Sequence, residues 1–295
     1  MKLIPFLFAL VLPFQTEGIE DLLKVDQALR GKDIAKAVKL ADEAIAKSPK
    51  NERLYYLRGL ANSGLRDYSA ALKDFDNSLK ANPKFYNALD QRGSANFRLG
   101  KMKEAGADFD EYIKLVPDEY PGHWRRGIVL YYLGRFKEGK EQFESYQKVE
   151  NSDVENGVWH YLCYARAETP EKARAAMLPI QGDRRVPMTE VYLMFQGKFA
   201  PDKILEIAYK APADQEKIAP FYAHLYLGLY YESIDDKKKA AEHMEKAAKL
   251  GPLDHYMGDV ARGNVVTKSA KLQRLYLVEY FNSEAGSVSW QEDMI

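Results

Sequence analysis

A chain of 295 residues that is 46% hydrophobic and 29% charged has enough apolar side chain for a packed core, and too much for a disordered polymer. Lys+Arg and Asp+Glu balance at 43 each, so no surplus of positive charge is present to release counterions from nucleic acid, which is not expected as a partner. The one cysteine, Cys163, excludes an internal disulfide and a cysteine-rich zinc site, and stability has to come from packing.

At the start, Lys2 precedes an apolar run from Leu3 to Phe14 that contains Pro5 and Pro13, and Gln15-Thr16-Glu17-Gly18 follows. This is the outline of a secretory signal peptide spanning 1–18. Thr16 and Gly18 are small enough for the minus-three and minus-one positions of a cut after Gly18. The run is too short and proline-broken to span a bilayer, and no later segment is apolar enough to do so. The alternative is the hydrophobic first helix of a cytoplasmic protein, because Lys2 alone makes a thin basic region.

Beyond it the sequence is periodic. Pro49, Pro83 and Pro117 are 34 residues apart, as are Gly59, Gly93 and Gly127, and Ala71 and Ala105 share the step. These are positions of the tetratricopeptide (TPR) repeat: a small residue on helix A where helix B crosses, an alanine on B for the return contact, and a proline after B. The spacing predicts an all-α fold, an α-solenoid of TPR helix-turn-helix repeats. Four repeats lie at about 18–51 (Ala37, Ala44, Pro49), 52–85 (Gly59, Ala71, Phe75, Pro83), 86–119 (Gly93, Ala105, Phe109, Pro117) and 120–153 (Gly127, Gly139, Phe143), so 19–153 forms the N-terminal array. Residues 154–220 lack the full pattern, but Thr169-Pro170-Glu171, Pro201 and Pro220 mark helix starts, and two degenerate helix pairs are expected there. Gly228, Ala240, Ala247 and Pro252 restore the offsets in a C-terminal repeat within 221–282. A short helix capped by Asp254 and ending at Gly263-Asn264, and an amphipathic capping helix through Leu272, Leu275, Tyr276 and Tyr280, complete that segment. Residues 283–295 are expected to be a flexible tail.

No pattern of catalytic chemistry emerges. His123, His160, His224, His243 and His255 are scattered, with no His-Glu-x-x-His pair and no set of three ligands, so no metal or other cofactor is expected. The glycines fit helix crossings and turns rather than a phosphate loop, a dinucleotide fingerprint or a nucleophile elbow. Asp235-Asp236 lies in a lysine-flanked turn, where a solvated charge cluster is expected. Cys163, inside the apolar run from Trp159 to Tyr164, reads as a buried, unreactive thiol. The 20 tyrosines are more telling, because many fall on A helices, which line the concave face of a TPR superhelix. By offset from the glycines, Arg53, Tyr56, Asn87, Asp90, Gln91, Trp124, Arg125, Ile128 and Tyr131 are candidates for a protein-binding groove. Leu22 and Asp26 stand where a clamp for a peptide's C-terminal carboxylate needs polar and basic residues, which disfavours that mode.

The segment Arg126-Gly127-Ile128-Val129-Leu130-Tyr131-Tyr132-Leu133-Gly134-Arg135, the stretch from Trp159 to Tyr164 and the block from Leu225 to Ala248 resemble the bacterial new lipoprotein I family of envelope TPR proteins. The resemblance covers about residues 50–255. It implies a non-catalytic adaptor, typically a homodimer, that brings periplasmic peptidases and cell-wall enzymes together. That family carries a lipid on a cysteine after the signal, whereas here the only cysteine is Cys163, so no lipid anchor is expected. The chain reads as an exported TPR adaptor, periplasmic or secreted, with proteins or peptides as partners. The alternatives are a general cytoplasmic TPR scaffold and a hydrolase whose site lies in 154–220.

Overall fold

The computed structural model describes residues 14–252 and 255–263. Every regular element among them is helical. The chain divides into two compact units, one ending at Glu119 and one beginning at Tyr120.

The first unit is three antiparallel helix pairs: α1 (Phe14–Arg30) with α2 (Ile34–Lys47), α3 (Glu52–Gly64) with α4 (Tyr68–Ala81), and α5 (Tyr86–Arg98) with α6 (Met102–Leu115). The turn inside each pair needs one residue with left-handed backbone. Lys32 (φ 58°), Arg66 (φ 61°) and Gly100 (φ 74°) supply it, again at the 34-residue step. Asp33 and Asp67 then cap α2 and α4 by accepting the N–H groups of Lys36 and Ala70. At the crossings, a Cβ added to Gly59 would lie 2.5 Å from the Phe75 ring, and one added to Gly93 would lie 2.6 Å from Phe109. Both rings are fully buried, so glycine is what lets the helices approach.

A second device recurs beside the crossings. Arg58 holds Asp74 on its own B helix at 2.6 Å and Asp42 on the preceding B helix at 2.6 Å, while Asn62 donates to Asp74 at 2.9 Å. One period later Arg92 holds Asp108 at 2.6 Å and Asp76 at 2.8 Å, and Asn96 donates to Asp108 at 2.9 Å. Asp74 and Asp108 are buried. Each guanidinium therefore fastens its own pair through a charge-assisted bond to a buried aspartate, and reaches the preceding pair through an aspartate that stays exposed.

The second unit opens on the same plan with α7 (Trp124–Tyr132) and α8 (Phe136–Tyr146), joined through Gly134 at φ 75°. Gly127 again faces a phenylalanine: a Cβ there would meet Phe143 at 2.5 Å. The regularity then fades. α9 (Val154–Ala167) is full length, but α10 (Pro170–Ala175) stops after 6 residues, and residues 176–187 hold no helix. α11 (Met188–Phe195) and α12 (Ile204–Ala208) are also short. Thr169 caps α10 by accepting the Lys172 N–H, with Pro170 in the first turn, and Pro201 opens a 3-10 turn before α12. The two degenerate helix pairs expected between 154 and 220 are thus present as four helices, one long and three reduced to stubs. α13 (Ala219–Ser233) and α14 (Lys237–Leu250) restore the crossing, with Gly228 against Met244 and Asp236 capping α14, and α15 spans 256–263.

Cys163 is fully buried, and a Cβ on Gly139 would lie 2.7 Å from its sulfur. Burial pushes its thiol far above the ordinary range, which makes it a packing group. α1 runs through the Gly18–Ile19 bond. The run up to Pro13, the Asp254 cap, the helix expected around Leu272 to Tyr280 and the tail 283–295 lie outside the described residues. Among the described residues no helix is long and apolar enough to cross a membrane.

Candidate functional site

The groove candidates of the first unit sit on α3 and α5. Arg53 is exposed in the first turn of α3, and Asn87 and Gln91 are half-buried on α5, where Gln91 donates to the buried Asp90 at 3.1 Å. Tyr56 is a packing residue: its ring stands edge-on to Phe85 at 5.2 Å and lies 6.2 Å from Phe75. In the second unit Arg125 is half-buried. Tyr131 is only 5% exposed, its ring set against Tyr132, Phe136 and Trp159 and its hydroxyl donating to Glu232 at 3.4 Å. It is therefore a core residue and not part of an open groove. The bulk of its ring and the apolar neighbours on α8 and α9 draw it inward.

Trp124 and Ile128 have a different setting. Together with Phe143 and Tyr146 of α8, Asn156 and Trp159 of α9, and Met257 of α15, they line a cavity of about 170 Å³ whose polar side is Asp153 and Glu155. Trp124 stands edge-on to Tyr256 with centroids 5.0 Å apart, and Phe143 stacks on Trp159. Asp153 is where it is because it caps α9, accepting the Glu155 N–H at 3.0 Å. Asn156 and Trp159 are 3% and 1% exposed, and each keeps one polar atom with no hydrogen-bond partner. In Asn156 this is Oδ1, since its Nδ2 donates to Gln147 at 3.1 Å; in Trp159 it is the indole Nε1. Leaving such atoms dry and unpaired costs about 1–3 kcal/mol each, so this corner is less well satisfied than the regular repeats.

The electrostatics of this corner centre on Arg185. Its guanidinium donates to Asp153 at 2.6 Å, to Glu155 at 3.0 Å and to Asp183, and it lies 5.4 Å from the centroid of the Tyr222 ring. Three carboxylates meet one guanidinium, a net charge of −2 when all are ionised. Burial first, and then the neighbouring carboxylates, push Glu155 up to about 7 against the pull of Arg185, and burial raises Asp153 as well. An open recess of about 370 Å³ adjoins Asp153, bordered also by Glu150, Ser152, Gly182, Asp183, Arg184 and Arg185.

The histidines are less scattered than the sequence suggests. Repeat geometry sets His224 of α13 and His243 of α14 with their Nδ1 atoms 2.9 Å apart, and burial together with His243 and Lys246 lowers His224 to about 4. Among the described residues no group of three or more metal-ligand side chains forms.

Comparison with known proteins agrees with this geometry. Residues 56–122 match the tetratricopeptide repeat family model. A solved tetratricopeptide repeat protein from Parabacteroides merdae is 16% identical, covers 84% of this chain and 98% of its own, and superposes with a TM-score of 0.56. The C-terminal part of a TPR repeat-containing protein from Cytophaga hutchinsonii is 16% identical, covers 81% and 98% respectively, and has a TM-score of 0.50. The TPR domain of Arabidopsis OM64 is 31% identical over 34% of this chain and 84% of its own, with a TM-score of 0.34. No curated protein matches the chain. With the glycine crossings at Gly59 and Gly93, the 34-residue step and the family match falling on the same residues, the chain carries tetratricopeptide repeats and folds as a TPR solenoid.

Proposed function

We propose that the chain is an exported adaptor that binds other proteins in a bacterial envelope and carries out no turnover of its own. TPR repeats make a protein interaction scaffold. The observation that carries the reading further is the cavity at Trp124 and Trp159, where aromatic walls surround buried polar atoms that find no partner within the chain. Such a surface is built to be covered. Export rests on the Leu3 to Phe14 run with Thr16 and Gly18 behind it, and the resemblance to the new lipoprotein I family suggests peptidases and cell-wall enzymes as partners.

Two measurements test this. N-terminal sequencing of protein from its host should find a start near Ile19, and an intact Met1 on cytosolic material would overturn export. Affinity capture from envelope extract should supply a partner to purify. Trp124→Ala should then weaken its binding by about 2 kcal/mol or more, as removal of an interface anchor does. A variant that melts like the parent and binds with unchanged affinity would remove the α7 and α9 face from consideration.

A further inference from the structure

We propose that the cavity lined by Trp124, Trp159 and Glu155 seats one lysine or arginine side chain from a peptide segment of the partner protein. This assignment rests on the adaptor reading above and specifies what its site takes. Size is the first constraint. About 170 Å³ is below the roughly 300–1,000 Å³ of sites that enclose a whole small molecule, and suits a single long side chain. The second is the wall. Trp124, Ile128, Phe143 and Met257 offer apolar and aromatic surface for a methylene stem, and an indole face attracts a cation.

Charge selects among the candidates that fit. An acidic group would meet the Asp153 and Glu155 carboxylates of the lining, which Arg185 offsets in part. An apolar side chain would fill the space but bring nothing to pair with the two carboxylates. A basic side chain does: its N–H groups can pair with Asp153 and Glu155, and its charge offsets theirs. TPR repeats form a protein-interaction scaffold, which is why a peptide segment is the source rather than a free amine.

The experiment combines a small probe with a peptide library. In a Trp290→Phe background, which leaves Trp124 and Trp159 as the fluorophores, N-acetyl-lysinamide should change the emission with a midpoint around 1 mM, and N-acetyl-norleucinamide should not. A displayed library of random nine-residue peptides selected on the parent should become enriched in Lys or Arg at one position by on the order of tenfold, the weight of a well-placed charge contact. Glu155→Gln, which keeps the side-chain shape, should still select peptides but lose that basic preference. Trp124→Ala, at a half-buried position, is the second variant and should lose both the preference and most of the enrichment. Circular dichroism melts confirm that both remain folded. Enriched peptides without a basic residue, or a preference that survives Glu155→Gln, would overturn the cavity assignment and leave peptide binding standing. No enrichment and no response to N-acetyl-lysinamide would overturn both readings. A response to N-acetyl-lysinamide with no enriched peptide would overturn the peptide source and give the cavity to free amines.

Discussion

In the first unit the same tasks fall to the same positions at every period. A left-handed residue turns the chain at Lys32, Arg66 and Gly100, a glycine meets a phenylalanine at Gly59 and Gly93, and Arg58 and Arg92 each tie two aspartates together. In the second unit Arg126 keeps its place, but Gln142 stands where Asp74 and Asp108 stood, α10, α11 and α12 shrink to eight residues or fewer, and the aromatic side chains crowd. Among the described residues, every buried side-chain polar atom without a partner lies in the second unit. The difference teaches that regularity satisfies a TPR interior, and that the places where this chain departs from the period are where it leaves buried polar atoms unpaired.

The strongest way to break that comparison is to load its glycines. Gly93→Leu places a side chain where even a Cβ would meet the Phe109 ring at 2.6 Å, and should cost about 3 kcal/mol or more in urea unfolding. Gly157→Ala in α9 should cost about 1 kcal/mol or less, because its Cβ would meet the Ile180 side chain at 3.2 Å, and that chain end can shift by a few tenths of an ångström. Equal losses at the two positions would mean that α9 is packed as tightly at Gly157 as the helix crossing is at Gly93.

The arginine ladder sharpens the contrast at lower cost. Arg92→Ala leaves Asp108 buried with Asn96 as its remaining donor, so the loss should be about 2 kcal/mol, below the 3–5 of a fully buried pair because Arg92 is partly exposed. Arg126→Ala should cost less than Arg92→Ala, since the partner left behind is the neutral Gln142 amide, which still donates to the Tyr120 carbonyl. Calorimetric melts of the two variants provide the check, and a larger loss for Arg126→Ala would show that the ladder does not set the register.

How much of this was legible in the sequence follows from the same contrast. The fold was legible because one sterically demanding contact recurs: Gly59, Gly93, Gly127 and Gly228 each face the residue 16 positions on, and counting finds it. The ladder is legible by the same count, since Arg58, Arg92 and Arg126 share the step, but an arginine, unlike a glycine at a helix crossing, is also common on a solvated face. Of the groove candidates, Trp124 and Ile128 line the cavity, while offset alone could not tell that Tyr131 points into the core. Asn156, Glu155 and Arg185 were not singled out. Glu155 and Arg185 are 30 residues apart and meet because a non-helical stretch returns the chain to the start of α9, which no periodicity encodes.

The smallest expected effect tests whether the acidic corner is as dry as its geometry implies. Folding lifts Glu155 to about 7 from an ordinary 4.5, so between those values the folded chain keeps a proton that the unfolded chain has released. The resulting stability is fully present below about pH 4.5 and is lost as pH rises through about 7. Glu155→Gln cannot titrate, so the stability of the parent relative to the variant should fall between pH 5 and pH 8. One proton sets a ceiling of about 1.4 kcal/mol per pH unit, and interaction with the neighbouring Asp153 carboxylate spreads the proton release over a wider range, so about 0.5 kcal/mol per pH unit is expected. His224 and His243, both lowered by burial, act in the opposite sense, with stability lost as pH falls below about 6.5; being present in parent and variant alike, they cancel in the difference. Urea midpoints of the two proteins at half-unit pH steps would measure the slope. A flat difference would mean that Glu155 titrates as a solvated carboxylate, and that the acidic corner is no drier than the exposed ion pairs of the first unit.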